Sequence, residues 1–80
     1  MDEDVEVYKA LIKMLPSTID TSLAESALHA GEAESAISDL LEEAYSNHCL
    51  TGNIIEFIES RYDSGPASEV LSGLKMWMDS

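Results

Sequence analysis

Carboxylates are the side chains of this sequence with the clearest capacity for chemistry, and they gather on one predicted helix. At about 100° per residue, Glu32, Asp39 and Glu43 fall within roughly 40° of one another, with Glu42 beside them. Such a group attracts cationic surfaces and repels the phosphates of nucleic acids. The pattern therefore predicts an electrostatic contact with a basic protein partner.

A second acidic group lies on the next predicted helix, where Glu56, Glu59 and Asp63 follow at spacings of three and four residues. No Lys or Arg separates Lys13 from Arg61. The nine acids of this interval are Asp20, Glu25, Glu32, Glu34, Asp39, Glu42, Glu43, Glu56 and Glu59. Like charges one helical turn apart cost a few tenths of a kcal/mol per pair. Such an uncompensated stretch favours a role in binding over a role in helix stability.

Two tyrosines extend this predicted surface. Tyr45 and Tyr62 lie at the edges of apolar helical stripes and next to acids, and tyrosine is enriched among the residues that dominate interface energies. We therefore predict one partner-binding face on the third and fourth helices. Its residues are Glu32, Asp39, Glu42, Glu43, Tyr45, Glu56, Glu59, Tyr62 and Asp63.

The composition predicts a folded acidic domain. The 80 residues include 16 acids against 4 Lys and Arg, which gives a formal charge of −12, and 45% are hydrophobic. A disordered acidic tail lacks the apolar residues needed to form a core. We expect one domain over residues 1–80 that binds neither nucleic acid nor anionic membranes and is a monomer when free.

The remaining bulk features favour a cytoplasmic location. The single Cys49 cannot form an internal disulfide, and the acidic start at Met1 to Asp4 is unlike a cationic signal peptide. No apolar run approaches the roughly 20 residues that a membrane-spanning helix needs.

No side-chain grouping predicts catalysis, a cofactor or a metal. His48 and Cys49 are adjacent, so their side chains diverge, and no third catalytic partner can be assigned. His29 and His48 are nineteen residues apart and lack the spacing of zinc ligands. We therefore expect a binding protein and not an enzyme.

The segment from Asp20 to Leu23 supports a different hypothesis. Acyl carrier proteins are acidic and helical and carry phosphopantetheine on the Ser of an Asp-Ser-Leu motif at the start of a helix. Here Thr21 interrupts that motif before Ser22. A carrier modified at Ser22 is an alternative, and intact mass would detect the added group.

Apolar residues recur at helical spacing along the whole chain and predict an all-α, compact bundle of four to five short helices with short connections. Leu23 is expected on the inner side of the second helix, and Trp77 in the core or at the edge of the last. The predicted helices cover Glu3 to Leu15, Ser17–Thr21 to before Gly31, Glu32 to Asn47, Asn53 to Tyr62, and Pro66 to Asp79.

Several short motifs recur in one known class of protein. They are Leu15-Pro16, Ala27, Ala30-Gly31-Glu32, Ala36-Ile37, Leu40-Leu41 and Ile58-Glu59. Over about residues 11–62 this pattern resembles small acidic bacterial immunity proteins of the MafI type, or related families that protect against polymorphic or contact-dependent inhibition toxins.

The resemblance implies that the chain binds and neutralises a cognate toxin domain in the cytoplasm. Such toxins are frequently nucleases, which are basic because they hold phosphates. A phage-type inhibitor that mimics nucleic-acid charge is an alternative, and a toxin gene immediately upstream would favour immunity. A helical adaptor without inhibitory activity is a further alternative.

Overall fold

The computed structural model describes residues 3–78, which form five α-helices joined by short connections and contain no strand. The helices are α1 Glu3–Met14, α2 Ser22–His29, α3 Ala33–Ser46, α4 Gly52–Arg61 and α5 Pro66–Met78. This confirms the predicted all-α fold, and each predicted helix is present. Asp79, where the last helix was expected to end, lies outside the described residues.

Local sequence signals explain where the helices begin and end. Pro16 cannot continue α1, and Pro66 suits the first turn of α5. At the end of α2, the Gly31 amide donates to Leu28 O and the Glu32 amide donates to Ala27 O. These two bonds form a Schellman motif, which requires the left-handed φ of +82° that Gly31 adopts.

Helix α3 is the central element of the core. Seven of its residues are buried, and it packs against α1, α2 and α5. Helix α4 packs against α1 and α5 and has no extensive contact with α3. The largest fully buried side chains are Leu11, Ile37, Leu40, Leu41, Ile54 and Ile58.

Two large apolar residues are strongly exposed, and for Leu23 this corrects the prediction of an inner position. Leu23 is 70% exposed, because α2 packs extensively against α3 alone and presents to it only the side that carries the buried Ala24. At about 100° per residue, Leu23 lies away from that side. Trp77 is 71% exposed, so it lies at the edge of α5 and not in the core.

Candidate partner-binding surface

Of the acids predicted for α3, three lie on the helix itself (Asp39, Glu42 and Glu43), and Glu32 is the residue just before its first turn. Glu32 and Glu42 are exposed, and Asp39 and Glu43 are half-buried at the border with the core. We call these four residues the α3 acidic strip. None of them forms an ion pair within residues 3–78. The side-chain amide of Asn47 donates a hydrogen bond to Glu43 O at 2.8 Å, and its nitrogen lies 3.5 Å from Glu43 Oε2. This neutral group adds no positive charge to the strip.

The predicted acids of α4 form a second group, which we call the α4 acidic strip. Glu56 and Glu59 are exposed on the side of α4 opposite the buried Ile54 and Ile58, and Asp63 is exposed just beyond the end of α4. Because the buried side faces α1 and α5, all three carboxylates remain in solvent.

The α4 acidic strip is partly neutralised by α5. Lys75 Nζ lies 2.8 Å from Glu59 Oε2, with side chains that are 42% and 48% exposed. Exposed pairs of this kind contribute little to stability, about 0–1 kcal/mol. They do remove one negative charge from the surface offered to a partner, so the α3 acidic strip is the less compensated of the two.

The two strips lie on helices that do not pack extensively against each other. Helix α3 contacts α1, α2 and α5, whereas α4 contacts α1 and α5, and α3 and α4 share no extensive contact among residues 3–78. The sequence predicted one face over both helices. Helical periodicity shows which residues share a side of one helix, but it does not show which helices pack together. The single face over both helices therefore stays a prediction.

The two predicted tyrosines are both half-buried against the core. Tyr45 borders the outer side of α3. Tyr62 is tied to α1, because its hydroxyl donates to Asp4 Oδ1 at 2.6 Å. Burial is the main cause that raises the pKa of Tyr62, and the hydrogen bond and charge of Asp4 and the charges of Glu34 and Glu3 raise it further.

The sequence did not indicate that several carboxylates act on the hydroxyl of Tyr62. Asp4 and Glu34 are thirty positions apart, yet the charges of both act on the same phenol. Glu34 also accepts a hydrogen bond from the Ala67 amide at 3.2 Å. No sequence signal marked Glu34, since it is an ordinary helical acid until α5 is placed beside it.

The residues considered for other chemistry are His48 and Cys49, which follow the end of α3, and Ser22, which begins α2. Cys49 is half-buried and its thiol donates to Asn47 O at 3.3 Å, while the adjacent His48 is exposed with a left-handed φ of 59°. Ser22 is the exposed first residue of α2, and its amide donates to Asp20 Oδ1 at 2.9 Å. The hydrogen bonds from Ser22 lower the pKa of Asp20.

Within residues 3–78, no three His, Cys, Asp or Glu side chains converge in a way that could hold a metal ion. None of the helices in this range is both long and apolar enough to cross a membrane.

Comparison with known proteins identifies no relative. No protein-family model matches the chain, and neither a curated protein nor a solved structure shows significant similarity to it.

Proposed function

We propose that this protein is an immunity-type inhibitor that acts in the cytoplasm by one-to-one binding to a basic toxin domain. The observation that carries this proposal is the α3 acidic strip, whose four carboxylates form no ion pair among residues 3–78. Because uncompensated like charges lower the stability of the free helix, their concentration is best explained by a cationic partner.

The inhibitory mechanism follows from electrostatics. Nuclease toxins carry basic grooves that hold phosphates. The α3 acidic strip would occupy such a groove and exclude the substrate, and its field would steer the two proteins together. The α4 acidic strip, reduced by the Glu59–Lys75 pair, would contribute to steering more than to the contact itself.

The partner is identified first. The full-length chain is immobilised, incubated with lysate of the producing organism at low salt, and eluted with increasing salt. A basic toxin domain that is retained at low salt and released at high salt is the expected result. Recovery of a host nucleic-acid-binding protein instead would favour the charge-mimicking inhibitor.

The surface is then tested by charge reversal. The variant Glu32→Lys/Glu42→Lys changes two exposed residues of the α3 acidic strip, and Glu6→Lys/Glu69→Lys makes the same change in net charge at exposed positions elsewhere. We expect the strip variant to slow association about tenfold more than the control variant at low salt. Equal rates for the two variants would contradict the proposal.

A further inference from the structure

A cleft of about 640 Å³ lies between α1 and the connection that leads into α2. Its wall includes the apolar residues Ile12, Leu15, Pro16 and Ile19, and Tyr8 also contributes from α1. Small-molecule sites are concave, mostly apolar and about 300–1,000 Å³ in volume. The cleft therefore has the size and the apolar lining of a ligand site.

Two of the four Lys and Arg residues of the protein also line the cleft. Lys9 and Lys13 are exposed, lie one helical turn apart on α1, and form no ion pair among residues 3–78. The other two cations have internal partners. Arg61 lies over the ring of Phe57 at 5.5 Å, and Lys75 is paired with a carboxylate of α4.

One carboxylate shares the cleft. Glu25 belongs to the first turn of α2, and its Oε2 accepts a hydrogen bond from Thr21 Oγ1 at 3.3 Å. The charged side chains that line the cleft are thus two lysines and one glutamate. On a protein of formal charge −12, this is a local surplus of positive charge beside an apolar wall.

We propose that this cleft binds a small apolar carboxylate, such as a medium-chain fatty acid. The hydrocarbon chain would pack against Ile12, Leu15 and Ile19, and the carboxylate would be held by Lys9 and Lys13. A neutral ligand would leave both ammonium groups unused, and a cationic ligand would be repelled by them. This site is independent of the two acidic strips and of the toxin-binding proposal.

Octanoate and 1-octanol test the proposal, because they share a chain length and differ in charge. Calorimetric titration of the full-length protein at low ionic strength should show octanoate binding about tenfold more tightly than 1-octanol, the effect of one charge-assisted contact. In an NMR titration, the amide chemical-shift changes caused by octanoate should be largest at the end of α1 and in the connection to α2.

Three variants test the roles of the charges. Lys9→Gln/Lys13→Gln should weaken octanoate binding about tenfold and leave 1-octanol unaffected. Glu25→Gln should strengthen octanoate binding about two- to threefold, since it removes a repelling charge. The control Arg61→Gln/Lys75→Gln removes the same net charge outside the cleft and should change affinity less than about twofold.

Three results would overturn the proposal. The first is no binding of octanoate at millimolar concentration. The second is equal affinity for octanoate and 1-octanol. The third is an equal loss of octanoate affinity in the cleft variant and the control variant, which would assign the effect to net charge alone.

Discussion

The carboxylate of Glu34, on α3, caps the first turn of α5, because its Oε2 accepts a hydrogen bond from the Ala67 amide at 3.2 Å. Pro66 has no amide hydrogen, so Ala67 carries the first unsatisfied donor of that helix. A negative charge at this position also interacts favourably with the helix dipole. The central helix thus holds α5 through a charged contact as well as through the core.

Replacing Glu34 should destabilise the protein by an amount that depends on how much of the cap the new side chain keeps. Glu34→Ala removes the cap and should lower the free energy of unfolding by about 1 kcal/mol, as measured by urea denaturation. Glu34→Gln keeps an acceptor and loses only the charge, so it should cost less. Glu42→Ala, at an exposed position on the same helix, is the control and should stay within about 0.5 kcal/mol. Equal losses for all three variants would contradict the capping role.

Two glycines should respond to alanine with opposite signs. Gly65 has a φ of +94°, and a Cβ there would lie 2.8 Å from Glu34 Oε2, so Gly65→Ala should lower stability by about 1 kcal/mol or more. Gly73 lies within α5, with nothing within 4 Å of an added Cβ. Gly73→Ala should therefore raise stability by about 0.5–1 kcal/mol.

The crowding at Gly65 can be separated from its backbone strain. In a Glu34→Ala background the Gly65→Ala change should cost less, because the side chain in its way is absent. An unchanged cost in that background would assign the whole effect to the positive φ.

Tyr62 should make the protein sensitive to alkaline pH. Its pKa is raised in the folded state, so its contribution to stability is complete below the ordinary tyrosine pKa of about 10 and is lost as pH rises above it. Tyr62→Phe should cost about 1 kcal/mol at pH 7, through the lost bond to Asp4, and should flatten the decline of stability above pH 10. Urea midpoints at several pH values measure this, and an equal decline in the variant would contradict it.

Tyr8 should behave differently from Tyr62, although both are tyrosines in contact with the core. The Tyr8 hydroxyl is buried and has no hydrogen-bond partner among residues 3–78, and the side chain is 5% exposed. Tyr8→Phe should therefore leave stability at pH 7 unchanged or raise it by up to about 1 kcal/mol. A loss comparable to that of Tyr62→Phe would show that the Tyr8 hydroxyl is satisfied in solution.

Salt should stabilise the free protein. The formal charge of −12 produces self-repulsion that counter-ions screen, so the unfolding midpoint should rise between about 0.05 and 0.5 M NaCl. Glu42→Lys should raise the midpoint at low salt and reduce its salt dependence. A midpoint that is independent of salt would indicate that the acids are too dispersed to repel one another.

The positions of the helices were predictable because their signals are local. Pro16, Gly31, Thr51 and Pro66 each act on the backbone within a few residues, and all four lie within two residues of a helix end. Thr51 caps α4, since its Oγ1 accepts from the Ile54 amide at 3.3 Å. Such effects do not depend on the rest of the fold.

The arrangement of the helices could not be predicted in the same way. An apolar stripe shows which side of a helix is buried but not which helix it meets. The Tyr62–Asp4 contact joins residues 58 positions apart, and the Glu34–Ala67 contact joins residues 33 apart. For the same reason the sequence did not show that the two acidic strips lie on helices without extensive mutual contact.

The attachment of α2 to a single neighbour predicts that the molecule unfolds as two cooperative units. Because α2 packs extensively against α3 alone and buries only Ala24 fully, it can open while the core of α1, α3, α4 and α5 stays intact. Thr21 and Glu25 form one wall of the cleft, so each opening of α2 also dismantles the cleft. Amide hydrogen exchange in α2 therefore reports the lifetime of the site, and any molecule bound there slows that exchange.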